Sequence, residues 1–125
     1  LEAWSDGMIT EGERELFSKI TSERHAPDPM LTVIVEQTAW ESKQIFLERV
    51  AIEDDPSDSG WFLGRADGKD GPGGNISMPI GDLLQSRQDL KEVLTLPAGY
   101  LVLIGETGVT TILDDKGKDV WSAIK

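Results

Sequence analysis

Ile45 to Met78 reads I-F-L-E-R-V-A-I-E-D-D-P-S-D-S-G-W-F-L-G-R-A-D-G-K-D-G-P-G-G-N-I-S-M. Two apolar runs, Ile45 to Ile52 and Gly60 to Gly64, have strand length and strand composition. Pro56 interrupts the chain between them and starts a turn. That turn carries Glu53, Asp54, Asp55 and Asp58 with no basic residue among them, and Trp61 follows directly. A glycine-rich loop, Asp67 to Gly74, separates the second run from an extended segment at Ile76 to Ile80. The stretch therefore predicts strand, acidic turn, strand, loop and strand. The charged pair Glu48-Arg49 interrupts the first run, and a helix over Trp40 to Val50 is the competing reading of its period.

Outward from this stretch the signals alternate in type. Thr10-Glu11-Gly12-Glu13 matches a capping box, in which hydroxyl and carboxylate each satisfy the other residue's backbone N–H. Leu16, Phe17 and Ile20 then recur at helical spacing, which predicts a helix over Glu11 to Glu23. Pro27 and Pro29 turn the chain into an extended connection. Leu31 to Val35 is a β-branched strand run, and Thr38 to Ser42 a short turn or one helical turn. Gly81 to Leu94 predicts a second helix, capped by Asp82 or Gly81 and broken near Ser86 to Asp89. Tyr100 to Ile104 is continuously apolar and is expected to be central in the sheet. Glu106-Thr107-Gly108 turns it into Val109 to Leu113. Asp114 to Lys118 is a polar turn, after which Val120-Trp121 closes the sheet or packs at its edge. The fold class is α+β: an antiparallel or mixed sheet of five to six strands with two helices packed on it.

The chain has 125 residues, which is one domain's worth, with residues 1–30 as N-terminal helix and connection and 31–125 as the core. Its 38% hydrophobic and 28% charged residues are globular composition. Without cysteine there are no disulfides, thiol nucleophiles or thiolate metal sites. No run approaches the roughly 18 residues of a membrane helix. Leu1-Glu2-Ala3-Trp4 has neither the basic region nor the apolar core of a signal peptide, so the expected location is cytoplasmic. The net charge of −11 repels nucleic acid and anionic lipid and suits a basic partner.

Catalytic and cofactor chemistry find little to stand on. A calcium loop beginning at Asp54 would place Pro56, Ser59 and Arg65 at positions that need an oxygen ligand, glycine and glutamate. Gly71 to Gly74 lacks the Gly-Lys-Ser/Thr ending and the helix of a phosphate loop. His25 is the single histidine and lies in a Pro-rich loop, which removes a Ser-His-Asp set and leaves no metal cluster. Adjacent Asp54 and Asp55 in a turn are a poor glycosidase pair, because that reaction needs two acids across a cleft. The expectation is a non-enzymatic binding protein with no catalytic residues, cofactor or metal.

Asp58-Ser59-Gly60-Trp61 resembles the signature of the bacterial immunity protein 33-like domains. The resemblance takes in the preceding acids, the Gly/Asp loop and Asn75-Ile76-Ser77, and continues through Leu96-Pro97-Ala98-Gly99. It spans roughly Leu31 to Asp115 and leaves the helix before Pro27 outside. It implies a small cytoplasmic protein of a polymorphic toxin system that binds and neutralises a toxin. Many such toxin domains are nucleases with basic active sites, which an acidic protein plugs. On this reading Glu53, Asp54, Asp55 and Asp58 face the partner, with Trp61 as the anchor if it is exposed. The alternative is a general protein-interaction or regulatory domain whose charge serves solubility.

Overall fold

The capping box forms as its spacing predicts. Glu13 N–H donates to the Thr10 hydroxyl at 3.2 Å, and Thr10 N–H donates to the Glu13 carboxylate at 3.0 Å. The computed structural model describes residues 9–39, 42–66, 74–106 and 108–124; the segment Leu1 to Trp4, the Trp40 start of the competing helix and most of the Gly-rich loop lie outside these. Helix α1 is Glu11–Leu16, extended by a 3-10 turn over Phe17–Lys19. It therefore stops short of Glu23. Thr21 competes locally by accepting from Glu23 N–H at 3.1 Å, the side-chain-to-backbone bond that ends helices. Beyond it the chain is drawn away, with Arg24 paired to Glu92 at 3.0 Å and His25 N–H bonded to Thr95 O.

Six strands form one mixed sheet: β1 Thr32–Glu36, β2 Ile45–Arg49, β3 Asp58–Arg65, β4 Asn75–Pro79, β5 Leu101–Gly105 and β6 Gly108–Leu113. Their spatial order is β4-β1-β3-β2-β5-β6. Only β1 and β3 run parallel; every other neighbouring pair is antiparallel. The strand reading of Ile45 holds over the helical one, although β2 ends at Arg49. Side chains alternate across each strand. Val33, Val35, Leu47, Trp61, Leu63, Val102 and Ile104 are buried on one face.

The helices supply the other half of that core. Helix α2, Ile80–Ser86, contributes Ile80 and Leu83, and the 3-10 turns Gln88–Lys91 and Val93–Thr95 contribute Leu90, Val93 and Leu94. Neither Asp82 nor Gly81 caps α2. Pro79 stands at the N-cap, and the first amides donate instead to the Pro-rich connection, Ile80 to Leu31 O at 2.8 Å and Gly81 to Pro29 O at 3.1 Å. A third short helix, α3 (Trp121–Ile124), follows a cap in which Asp119 accepts from the N–H groups of Trp121 and Ser122. Trp121 is buried against Phe17, with ring centroids 5.8 Å apart, so it packs in the helical layer. Strand β5 sits next to the edge strand and is not central. Its continuous apolar run fills two faces, with only Val102 and Ile104 of its four apolar residues in the core. No helix among the described residues is long and apolar enough to cross a membrane.

The helical break falls at Arg87, inside the predicted Ser86 to Asp89 window. There the guanidinium and the Asp89 carboxylate make a two-bond pair, both contacts at 2.8 Å, with both side chains almost fully buried. Ile9 N–H donates to the same carboxylate at 2.8 Å, which ties the start of α1 to the end of α2. Burial alone would raise the Asp89 pKa. The Arg87 and Ile9 hydrogen bonds and the Arg87 charge outweigh it and hold the carboxyl below the usual carboxylate range. A depressed folded-state pKa adds stability that is present above the unfolded value, about 3.9, and lost as pH falls through the folded value. Removing one partner of such a pair leaves an uncompensated buried charge. Asp89→Ala is expected to cost about 3–5 kcal/mol in a urea titration at neutral pH. Asp89→Asn is expected to flatten the loss of stability below pH ~4, measured as melting temperature against pH.

Candidate partner-binding surface

The acidic turn joins β2 to β3, and residues 50–57 of it are exposed. Its carboxylates divide into two kinds. Asp55 accepts from the Ser57 N–H at 3.0 Å and from the Ser57 hydroxyl at 2.6 Å, and Asp58 accepts from Gly60 N–H at 2.8 Å. These bonds shape the turn. The Ser57 hydroxyl first, and then its N–H, hold the Asp55 pKa below its ordinary value, so that carboxylate stays charged. Glu53 and Asp54 make no side-chain hydrogen bond or ion pair with the described residues and point their charge at solvent. The far end of the turn is anchored where Thr32 donates to Ser57 O from its N–H (2.8 Å) and its hydroxyl (3.2 Å).

Each residue of Asp58-Ser59-Gly60-Trp61 has a place in the base of that turn. The Ser59 hydroxyl donates to Thr32 O at 2.7 Å and accepts from Trp61 N–H at 3.2 Å. Gly60 lies at φ +85°, and a Cβ there would stand 2.0 Å from Val50 O. Only glycine fits both that dihedral and that approach. Val50 N–H donates back to Gly60 O at 3.0 Å, so the two ends of the turn are pinched together.

Trp61 is 1% exposed. The anchoring role expected of it required exposure, and that condition is not met: strand alternation aims the indole into the core beneath the turn. Its influence on the surface passes through Arg49, whose guanidinium lies 5.9 Å from the ring centroid. Arg49 donates from Nε to Ser59 O (3.1 Å) and from Nη1 to Leu96 O (2.8 Å). Its backbone bonds Tyr100 O and Gly99 N–H at 3.0 and 2.7 Å. Sequence reasoning registered Arg49 only as an interruption of an apolar run. The available signal was a cation at the position that alternates with Ile45 and Leu47 in an otherwise apolar strand run.

The cavity beside Arg49, lined in part by His25, Ser59 and Trp61, holds ≈120 Å³. That is well below the roughly 300 Å³ of the smallest ordinary ligand pockets. Among the described residues no three His, Asp or Glu side chains form a metal-binding group. The geometry is that of an exposed anionic surface on a fixed base. Gly60→Ala is expected to lower unfolding free energy by about 2 kcal/mol or more, through the left-handed backbone and the clash with Val50. Asp54→Asn, at an unpartnered surface position, stays within ~0.5 kcal/mol. Urea titrations of the two variants side by side check the contrast.

No curated protein and no solved structure matches the chain. A family does. The Imm33-like domain matches residues 12–123, so the likeness begins inside α1, earlier than the Leu31 start that the sequence motif suggested, and ends inside α3. With nearly its whole length covered, the chain belongs to the Imm33-like domain family.

Proposed function

We propose that this chain is an immunity protein that binds and neutralises a cognate bacterial toxin in the cytoplasm, without catalysis, through an acidic surface centred on Glu53, Asp54, Asp55 and Asp58. The observation that carries the reading is the turn itself. Glu53, Asp54 and Asp55 stand on an exposed loop and half-buried Asp58 at the start of β3, and the loop's two ends are pinned to β1 and β3, so binding orders little that is not already ordered. Family membership supports a protein partner of the immunity type. The net charge of −11 supports a basic one, since complementary charge speeds encounter and disfavours wrong partners. Trp61 serves this surface from below by supporting the Arg49 side of the base.

The test is binding to the toxin domain encoded beside this chain's gene, measured across a salt series. Changing Asp54, Asp55 and Asp58 together to Asn keeps the acceptor oxygens that shape the turn and removes three charges. The expected result is slower association, roughly tenfold weaker affinity at low salt and a shallower dependence of log Kd on log salt. Unchanged affinity and slope would remove the acidic turn from the interface. Absence of any complex at either salt would favour a general interaction domain over an immunity protein.

A further inference from the structure

The sheet has a second face, and the helices do not use it. Ile34, Phe62, Phe46 and Leu103 form an apolar stripe there across four adjacent strands, β1-β3-β2-β5. Register pairs Ile34 with Phe62 and Phe46 with Leu103, and the Phe46 and Phe62 rings stack at 5.7 Å with planes 29° apart. Gly64 makes the stack possible: a Cβ there would stand 2.6 Å from Phe62 and 2.8 Å from Phe46. All four residues are half-buried, and none belongs to the hydrophobic core or packs against it.

Charge on this face has one sign. Glu48 is exposed and paired across strands with Phe62 on one side and Leu101 on the other. Glu36 alternates with Ile34, and Asp58 shares the face by pairing with Thr32, which alternates with Ile34, across an irregularity in β3. The strand positions on this face include no Lys or Arg, because Arg49 and Arg65 fall on the opposite alternation beside Trp61 and Ile45. Lys43, in the loop before β2, is ion-paired with Glu106 at 3.6 Å. Asp58 belongs both to this face and to the acidic turn, so the two surfaces are continuous. A second copy is a poor occupant, since two chains of −11 would set Glu48 and Asp58 against their own kind.

We infer that this face, which the described helices leave open, running from Asp58 through Phe62 and Phe46 to Leu103, is a docking surface for a protein segment with apolar residues flanked by lysine or arginine. The inference rests on the protein-binding reading above and extends it: the acidic turn guides the partner, and the aromatic stripe holds it. Apolar burial at the centre and charge at the rim is the usual division of labour in an interface.

Two probes test it with the whole chain: a synthetic amphipathic Leu/Lys peptide and its Leu/Glu counterpart, followed by NMR. The Leu/Lys peptide is expected to shift the signals of Ile34, Phe46, Phe62 and Leu103, and the Leu/Glu peptide to leave them in place. Leu103→Lys is expected to weaken Leu/Lys binding about tenfold. Glu48→Lys, at an exposed position that leaves folding intact, does the same. Shifts confined to the acidic turn, equal binding of both peptides, or a concentration-dependent dimer that protects the four residues would each overturn the proposal. The neighbouring toxin domain separates this from the immunity reading. Toxin bound equally well by both variants sinks the docking face and leaves the immunity reading standing. Peptide binding without any toxin binding does the reverse.

Discussion

Arg49 is the point at which three distant pieces of chain are held in one arrangement. Its backbone closes against the turn at Gly99-Tyr100, its Nε reaches the start of β3 at Ser59, and its Nη1 reaches the end of the helical layer at Leu96. Tyr100 precedes β5, Ser59 is the second residue of β3, and Leu96 follows the last 3-10 turn. A planar guanidinium with several fixed donors satisfies two of their carbonyls at once, which a lysine ammonium does not do in the same geometry. Burial lowers the Arg49 pKa, but the group remains a cation, and the face of Trp61 supplies part of the environment that lost water supplied. The acidic turn hangs from this arrangement.

Four carboxylates in six residues repel one another, and a loose loop would relieve that by spreading. The pinch between Val50 and Gly60 and the two Thr32 bonds to Ser57 prevent it. Asp55 and Asp58 turn part of the repulsion to use by accepting local N–H and O–H donors, so their charge is both stabilised and fixed in place. Within Asp58-Ser59-Gly60-Trp61 the last three residues are scaffold, and Asp58 both shapes the turn and carries charge. Ser59, Gly60 and Trp61 are all buried, and they fix where the exposed acids stand.

Much of this was legible because it is local. The capping box at Thr10, the strand at Leu31 to Val35, the break near Arg87 and the acidic turn all depend on residues a few positions apart. Strand order depends on distant pairing, and no local pattern states that β3 inserts between β1 and β2. The same limit explains the helix that ends before Glu23, since Arg24 is drawn off by Glu92 and His25 by Thr95, about seventy residues away in sequence. Trp61 was ambiguous for a different reason. An aromatic beside acids suits a hot spot or a core equally well, and only the phase of β3 decides between them. The continuous apolar run of β5 was read as centrality, when it records a strand whose two faces both carry apolar residues.

The distribution of cations sharpens the acidic surface. Arg14 is spent on Ile9 O, Arg24 on Glu92, Arg49 on two carbonyls and Arg87 on Asp89. Each is placed by an internal bond that the fold needs, and none of these bonds reaches Glu53, Asp54 or Asp58. Structural demand thus draws these arginines toward the core and the helical side, and among the described residues no ion pair reaches Glu53 or Asp54. A surface charge that takes no partner among the described residues contributes little to folding. It keeps its full field for whatever approaches from outside, and screening limits that field to about 8–10 Å at physiological salt. On the proposed reading such a turn would act on a partner only at close range, where the apolar stripe on the sheet face that includes Asp58 is also within reach.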